Sequence, residues 1–81
     1  MKLYKYKNNK CNLSGAKIKR FSKQAGMSQE KLAAVLQLIG LDLNQKAVSR
    51  IETGDRVVPD FELLYFARAL QVSVMDLLTE S

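Results

Sequence analysis

A chain of 81 residues holds one small domain that buries only about 60% of its unfolded surface, which leaves little room for an elaborate active site. With no histidine and one cysteine, Cys11, a single chain lacks disulfide frameworks, Cys/His zinc sites and histidine-based acid–base or nucleophile systems, so the expectation is a non-enzyme without metal or cofactor. The net charge of +5 is polarised: residues 1–40 carry nine Lys/Arg and one acid, residues 41–81 four and seven, a footprint that suits a polyanion such as nucleic acid and equally a merely solvated lysine-rich surface.

Apolar residues at 47% and charged residues at 26% are ordinary for a folded globular chain. The longest uncharged stretch, Leu32 to Leu41, is ten residues with Gln37 inside it, too short to cross a bilayer of about 30 Å. No apolar run follows the basic N-terminus in the manner of a secretory signal. A cytoplasmic protein without a membrane partner is expected.

Residues 1–13 alternate lysine with apolar residues and then lose pattern, which suggests a basic N-terminal arm preceding a domain over 14–81. Tyr4 and Tyr6 among the lysines offer stacking surfaces for bases, although such an arm more often gives phosphate contact or disorder. Cys11 has no nearby partner and is read as an ordinary thiol.

Ser14 is a capping residue for a first helix in which Ile18, Phe21 and Ala25 share a face and Gly26 is the stop. Ser28 caps a second, with Gln29 and Glu30 in its first turn and Leu32, Val35, Leu36 and Ile39 at helical spacing, ending near Gly40. Asn44 caps a third over Gln45 to Thr53, closed by Gly54. After a loop from Asp55 to Pro59, Asp60 is the expected cap of a fourth helix from Phe61 to about Leu70, and Ser73 with Asp76 suits a capping box for a fifth. The expected fold class is all-α, five short helices without strands.

The third helix carries the functional signal. At about 100° per residue from Gln45, the side chains of Ala47, Val48 and Ile51 gather between about 200° and 300°, a core face. Gln45, Lys46, Ser49, Arg50 and Thr53 fill the arc from about 0° to 140° with hydrogen-bonding groups and two positive charges. Gln pairs with adenine in a major groove, Lys and Arg address guanine or phosphate, and Ser or Thr serves either. A polar face standing alone is more often just solvated. Two short helices, the second capped by Asn44 and polar outside, are also the arrangement that places a recognition helix in the major groove.

Over about residues 15–78 the pattern resembles the phage-repressor-like, Xre-type helix-turn-helix regulators. The resemblance rests on Ile18, on Gly26-Met27-Ser28-Gln29 and Leu32-Ala33, on Val48-Ser49-Arg50-Ile51-Glu52-Thr53-Gly54, and on Leu63, Ala67, Leu70 and Val72. It implies that Gln29 meets backbone phosphate and that Asn44, Gln45, Lys46, Ser49 and Arg50 approach base edges or phosphates. An amide beside the open N–H groups of a helix start suits the first role. Ser28, Lys19, Lys23, Thr53 and Arg56 complete the phosphate candidates.

Two departures stand out. The connection from Leu32-Ala33 to Glu52 is about five residues longer than the common form, and Leu41 and Leu43 are expected to tuck beneath the turn, since exposing each would forgo about 1.5 to 3 kcal/mol. Asp42 competes with Asn44 as the cap. Where the family often has an arginine that pairs with the third-helix glutamate, this chain has Ser22. Glu52 is therefore expected to be semi-exposed or bonded elsewhere, with Lys19, Lys23 and the Ser22 hydroxyl as alternatives.

On the fourth helix, Leu63, Phe66, Ala67 and Leu70 form one apolar face while Phe61, Leu64 and Tyr65 lie roughly opposite. Either the fifth helix covers them through Val74, Met75, Leu77 and Leu78, or a second subunit does. The dimer-interface candidates are accordingly Phe61, Leu64, Tyr65, Met75 and Leu78. The resulting expectation is a sequence-specific, double-stranded-DNA-binding transcriptional regulator, a repressor that inserts the third helix into the major groove and forms a homodimer at least on DNA. The alternative is an antitoxin or adaptor with a protein partner and secondary DNA binding, and behind it an RNA or anionic-membrane binder.

Overall fold

The computed structural model describes residues 9–79, so Tyr4, Tyr6 and most of the expected arm lie outside the described residues. Within them the chain forms α1 (Gly15–Gln24), α2 (Gln29–Leu38), α3 (Gln45–Thr53), α4 (Asp60–Leu70) and α5 (Val74–Leu78), with no strand among the described residues. None of these helices is long and apolar enough to cross a membrane.

Local chemistry sets most boundaries. The Ser28 hydroxyl accepts the Lys31 N–H at 3.0 Å and Asn44 Oδ1 accepts the Ala47 N–H at 2.8 Å, each satisfying a donor that the first helical turn leaves open. Asn44, not Asp42, is the cap of α3. Ser73 and Asp76 bond reciprocally as a capping box.

The first four helices end alike, each with the two crossing backbone bonds of a Schellman motif. In α3, Asp55 N–H reaches Arg50 O at 2.8 Å and Gly54 N–H reaches Ile51 O at 3.1 Å. Gly26, Gly40 and Gly54 supply the positive φ this closure needs, and Gln71 does so after α4 at φ 59°.

Two expected starts differ. Ser14 makes no side-chain cap bond; the Gly15 N–H goes instead to Asn12 Oδ1 at 2.7 Å. Ser14 already has helical backbone angles, whereas a side-chain cap needs an extended residue. For α4, Asp60 is the first helical residue and Pro59 precedes it in extended conformation, so Asp60 acts in the first turn, where a negative charge suits the helix dipole.

Ile18, Leu32, Leu36, Val48, Ile51, Phe66 and Leu77 are completely buried and form the centre of the core. Around them α1 packs on α3, α4 and α5, α2 packs on α3 and α4, and α4 packs on α5. Leu41 and Leu43 are buried beneath the longer α2–α3 connection, as expected. The Gln37 amide donates to Leu43 O at 2.9 Å and ties that connection to α2.

At the α1–α3 crossing, a Cβ on Gly15 would collide with the Ile51 carbonyl oxygen, so only glycine permits the approach. Asn12 fastens the same corner: its Nδ2 donates to Ile51 O at 3.0 Å and to Arg56 O at 2.7 Å. Cys11 N–H donates to Gly54 O at 2.8 Å and Lys10 Nζ to Thr53 O at 2.8 Å, a cation at a helix C-terminus where the dipole favours it. Residues 10–12, patternless in sequence, are thus fixed to the end of α3.

Candidate nucleic-acid interface

With Val48 and Ile51 buried and Ala47 half-buried against α1 and α2, α3 turns its other side outward. Gln45, Lys46 and Arg50 are exposed and Ser49 is half-buried. Together with Gln29 from the start of α2 they line one shallow, open depression of about 380 Å³. The depression offers two amides, a hydroxyl, an ammonium and a guanidinium on adjacent helices, a set that can pair with base edges and phosphate oxygens.

Other predicted residues lie beside this depression or are otherwise engaged. Asn44 spends its oxygen on the α3 cap, leaving its amide N–H groups outward. Ser28 is exposed and caps α2. The Thr53 hydroxyl bonds Asp55 Oδ2 at 3.0 Å and lies 3.2 Å from Arg50 O, which ties it to the closing turn. Lys19 and Lys23 are exposed on α1 and do not line the depression.

Arg56 differs most from its expected place. Its guanidinium forms a two-pronged ion pair with Glu62 at 2.7 and 3.1 Å. The Arg56 pKa is raised, chiefly by the hydrogen bonds it donates to Glu62, with burial opposing and charge attraction assisting. Glu62 lies in the first turn of α4 and is buried, so this bridge closes the α3–α4 loop.

Of the two expectations for Glu52, it is bonded elsewhere rather than semi-exposed, and its partner does not come from α1. It is buried, with 9% relative exposure, and its Oε1 accepts from Gln29 Nε2 at 3.0 Å. The Ser22 hydroxyl donates to Lys19 O instead, a local helix contact that a short side chain favours. Glu52 Oε2 is buried without a hydrogen-bond partner among the described residues. Gln29 therefore lines the depression while one of its N–H groups is committed to α3.

On α4, Phe61 and Leu64 are exposed, Tyr65 is half-buried, and the Arg68 guanidinium sits 5.9 Å from the Tyr65 ring centre. The fifth helix does not cover this face: Leu77 enters the core, whereas Met75 and Leu78 remain exposed, as do Leu38 and Ile39 at the end of α2.

Lys10 and Asn12 hold the end of α3 from within the stretch expected to be an arm. Asn12 carried a usable signal, a capping residue three positions before the Gly15 N–H it serves. Lys10 carried none, because its partner is distant in the chain.

The chain matches the family model described as a helix-turn-helix domain over residues 14–78. No curated protein matches it. Among solved structures it is similar to the restriction-modification controller protein C.AhdI from Aeromonas hydrophila, at 28% identity and a TM-score of 0.69, over 78% of this chain and 84% of that one.

Proposed function

The chain belongs to the helix-turn-helix domain family, and from that membership we propose that it is a sequence-specific, double-stranded-DNA-binding transcriptional regulator of the repressor kind. It acts in the cytoplasm and inserts α3 into the major groove. The observation that carries this reading is the joint depression of Gln29, Gln45, Lys46, Ser49 and Arg50. Its donors and acceptors suit base edges, while Lys46 and Arg50 supply charge for phosphate. Similarity to a restriction-modification controller supports a regulatory role over an adaptor role. The uncovered Phe61 and Leu64 favour a two-fold dimer on half-sites about one helical turn apart, which doubles the contact area of a nine-residue recognition helix.

Selection of duplexes from a random pool tests the proposal. Affinity for the selected site should exceed that for bulk DNA by about a thousandfold or more. It should fall with salt at a log-log slope of about −0.9 for each phosphate contact. A best duplex that binds only a few-fold better than bulk DNA at physiological salt refutes the regulator and favours the protein-interaction alternative.

A further inference from the structure

We propose that Glu52 is a positioning residue for DNA recognition: from beneath the interface it fixes the side-chain amide of Gln29, which meets the nucleic acid. This inference rests on the DNA-binding reading above. Gln29 lines the open depression with the outward residues of α3, yet its Nε2 donates to the buried Glu52 at 3.0 Å. An ionised carboxylate only accepts hydrogen bonds, so the amide must present an N–H to it. That choice dictates the rest. The carbonyl oxygen and the second N–H of Gln29 are left for the depression in one orientation.

The last torsion of a glutamine is otherwise broad and close to two-fold, so oxygen and nitrogen exchange places readily. Fixing it in the free protein removes an ordering cost that binding would otherwise bear. The carboxylate is tied to this task by what else it lacks. Its second oxygen is buried without a partner among the described residues, and the Ser22 hydroxyl of α1 bonds to its own helix. Gln29 and Glu52 thus act as a unit that spans α2 and α3.

Charge alone predicts the opposite outcome, which makes the test sharp. A carboxylate close to a polyanion opposes binding, so removing it should tighten any complex that responds only to charge. Glu52→Met keeps the length and removes both charge and acceptor. Measured on the selected duplex, Gln29→Ala should weaken binding about tenfold, the effect of one contact of about 1.4 kcal/mol. Glu52→Met should weaken it by a comparable factor despite the more positive net charge, with the salt slope unchanged. In the Gln29→Ala background, Glu52→Met should cost nothing more.

Binding by Glu52→Met that equals or exceeds wild type, or additive losses in the double variant, overturns the proposal. Absence of any preferred duplex for the wild-type protein overturns it together with the DNA-binding reading, and so separates the two failures. If Glu52→Met does not fold, the wild-type protein carries the test by nuclear magnetic resonance. The Gln29 side-chain amide, assigned by its loss in Gln29→Ala, should exchange its protons with water more slowly than the exposed Gln45 amide and show a high order parameter in the free protein and in the complex. Rapid proton exchange or a mobile Gln29 amide overturns the assignment.

Discussion

Asn12→Ala tests the least expected part of the architecture. The side chain receives the Gly15 N–H at 2.7 Å and donates to Ile51 O at 3.0 Å and Arg56 O at 2.7 Å, so one residue joins the start of α1, the end of α3 and the loop beyond it. A hydrogen bond of this kind contributes about 1 kcal/mol net, and a helix cap about the same. Three bonds at a half-buried site, discounted for water that can replace them, give a loss of about 2 kcal/mol. At about 4 to 8 °C per kcal/mol for a domain of this size, the Tm should fall by roughly 8 to 16 °C. Thermal and urea unfolding followed by far-ultraviolet circular dichroism read both quantities.

Two companion variants sharpen the reasoning. Asn12→Asp keeps the oxygen that caps α1 but turns an anionic oxygen toward the two carbonyls that Nδ2 now serves, so it should lose at least as much as Asn12→Ala. Ser14→Ala should lose less, because Ser14 makes no side-chain cap bond. Asn12→Ala that unfolds with the wild-type protein, or Ser14→Ala that costs more, refutes the assignment of Asn12 as the fastening residue.

Further outcomes follow from the interface and the helix ends. Gln45→Ala and Lys46→Ala should each lose about 1 to 3 kcal/mol at particular base pairs of the selected site; uniform loss across all duplexes would show that α3 does not read bases. Leu64→Glu places charge on the exposed α4 face and Tyr65→Glu places it at that face's half-buried edge; both should yield a monomer in sedimentation, whereas unchanged sedimentation and binding would exclude that face as the dimer contact. The Asp76 carboxyl is held below the usual carboxylate range by the Ser73 backbone N–H first, then by the Ser73 hydroxyl. Because its folded pKa is depressed, its contribution is present above about pH 4 and is lost as the pH falls through the folded value. The stability difference between wild type and Asp76→Asn should therefore shrink below about pH 4, and a constant difference would count against the capping box.

What the chain reveals of its own fold tracks how far each determinant lies from its partner. Ser28, Asn44, the Gly54 turn and the Ser73–Asp76 pair join groups three to five positions apart, so residue type and spacing suffice to place the ends of α2, α3 and α5. The start of α1 is different. Ser14 and Asn12 are both capping types, and what selects Asn12 is its bonds to residues 39 and 44 positions along the chain. Those bonds exist only once α3 has packed on α1.

The interface divides along the same line. The outward face of α3 was legible because 3.6-residue periodicity alone separates Val48 and Ile51 from Gln45, Lys46, Ser49 and Arg50. Which polar residues would be withheld was not legible. Arg56 reads as one more cation for phosphate until α4 brings Glu62 within 2.7 Å of it. Glu52 falls at about 340° on the α3 wheel, between Val48 and Gln45, so sequence places it on the border of core and surface. The packing of α2 on α3, over the buried Leu41 and Leu43, resolves that border inward and supplies Gln29 as its partner. A glutamine at a helix start and a glutamate on the next helix are thus a pair that neither residue announces alone, and the role proposed for them in DNA binding depends on the crossing of the two helices.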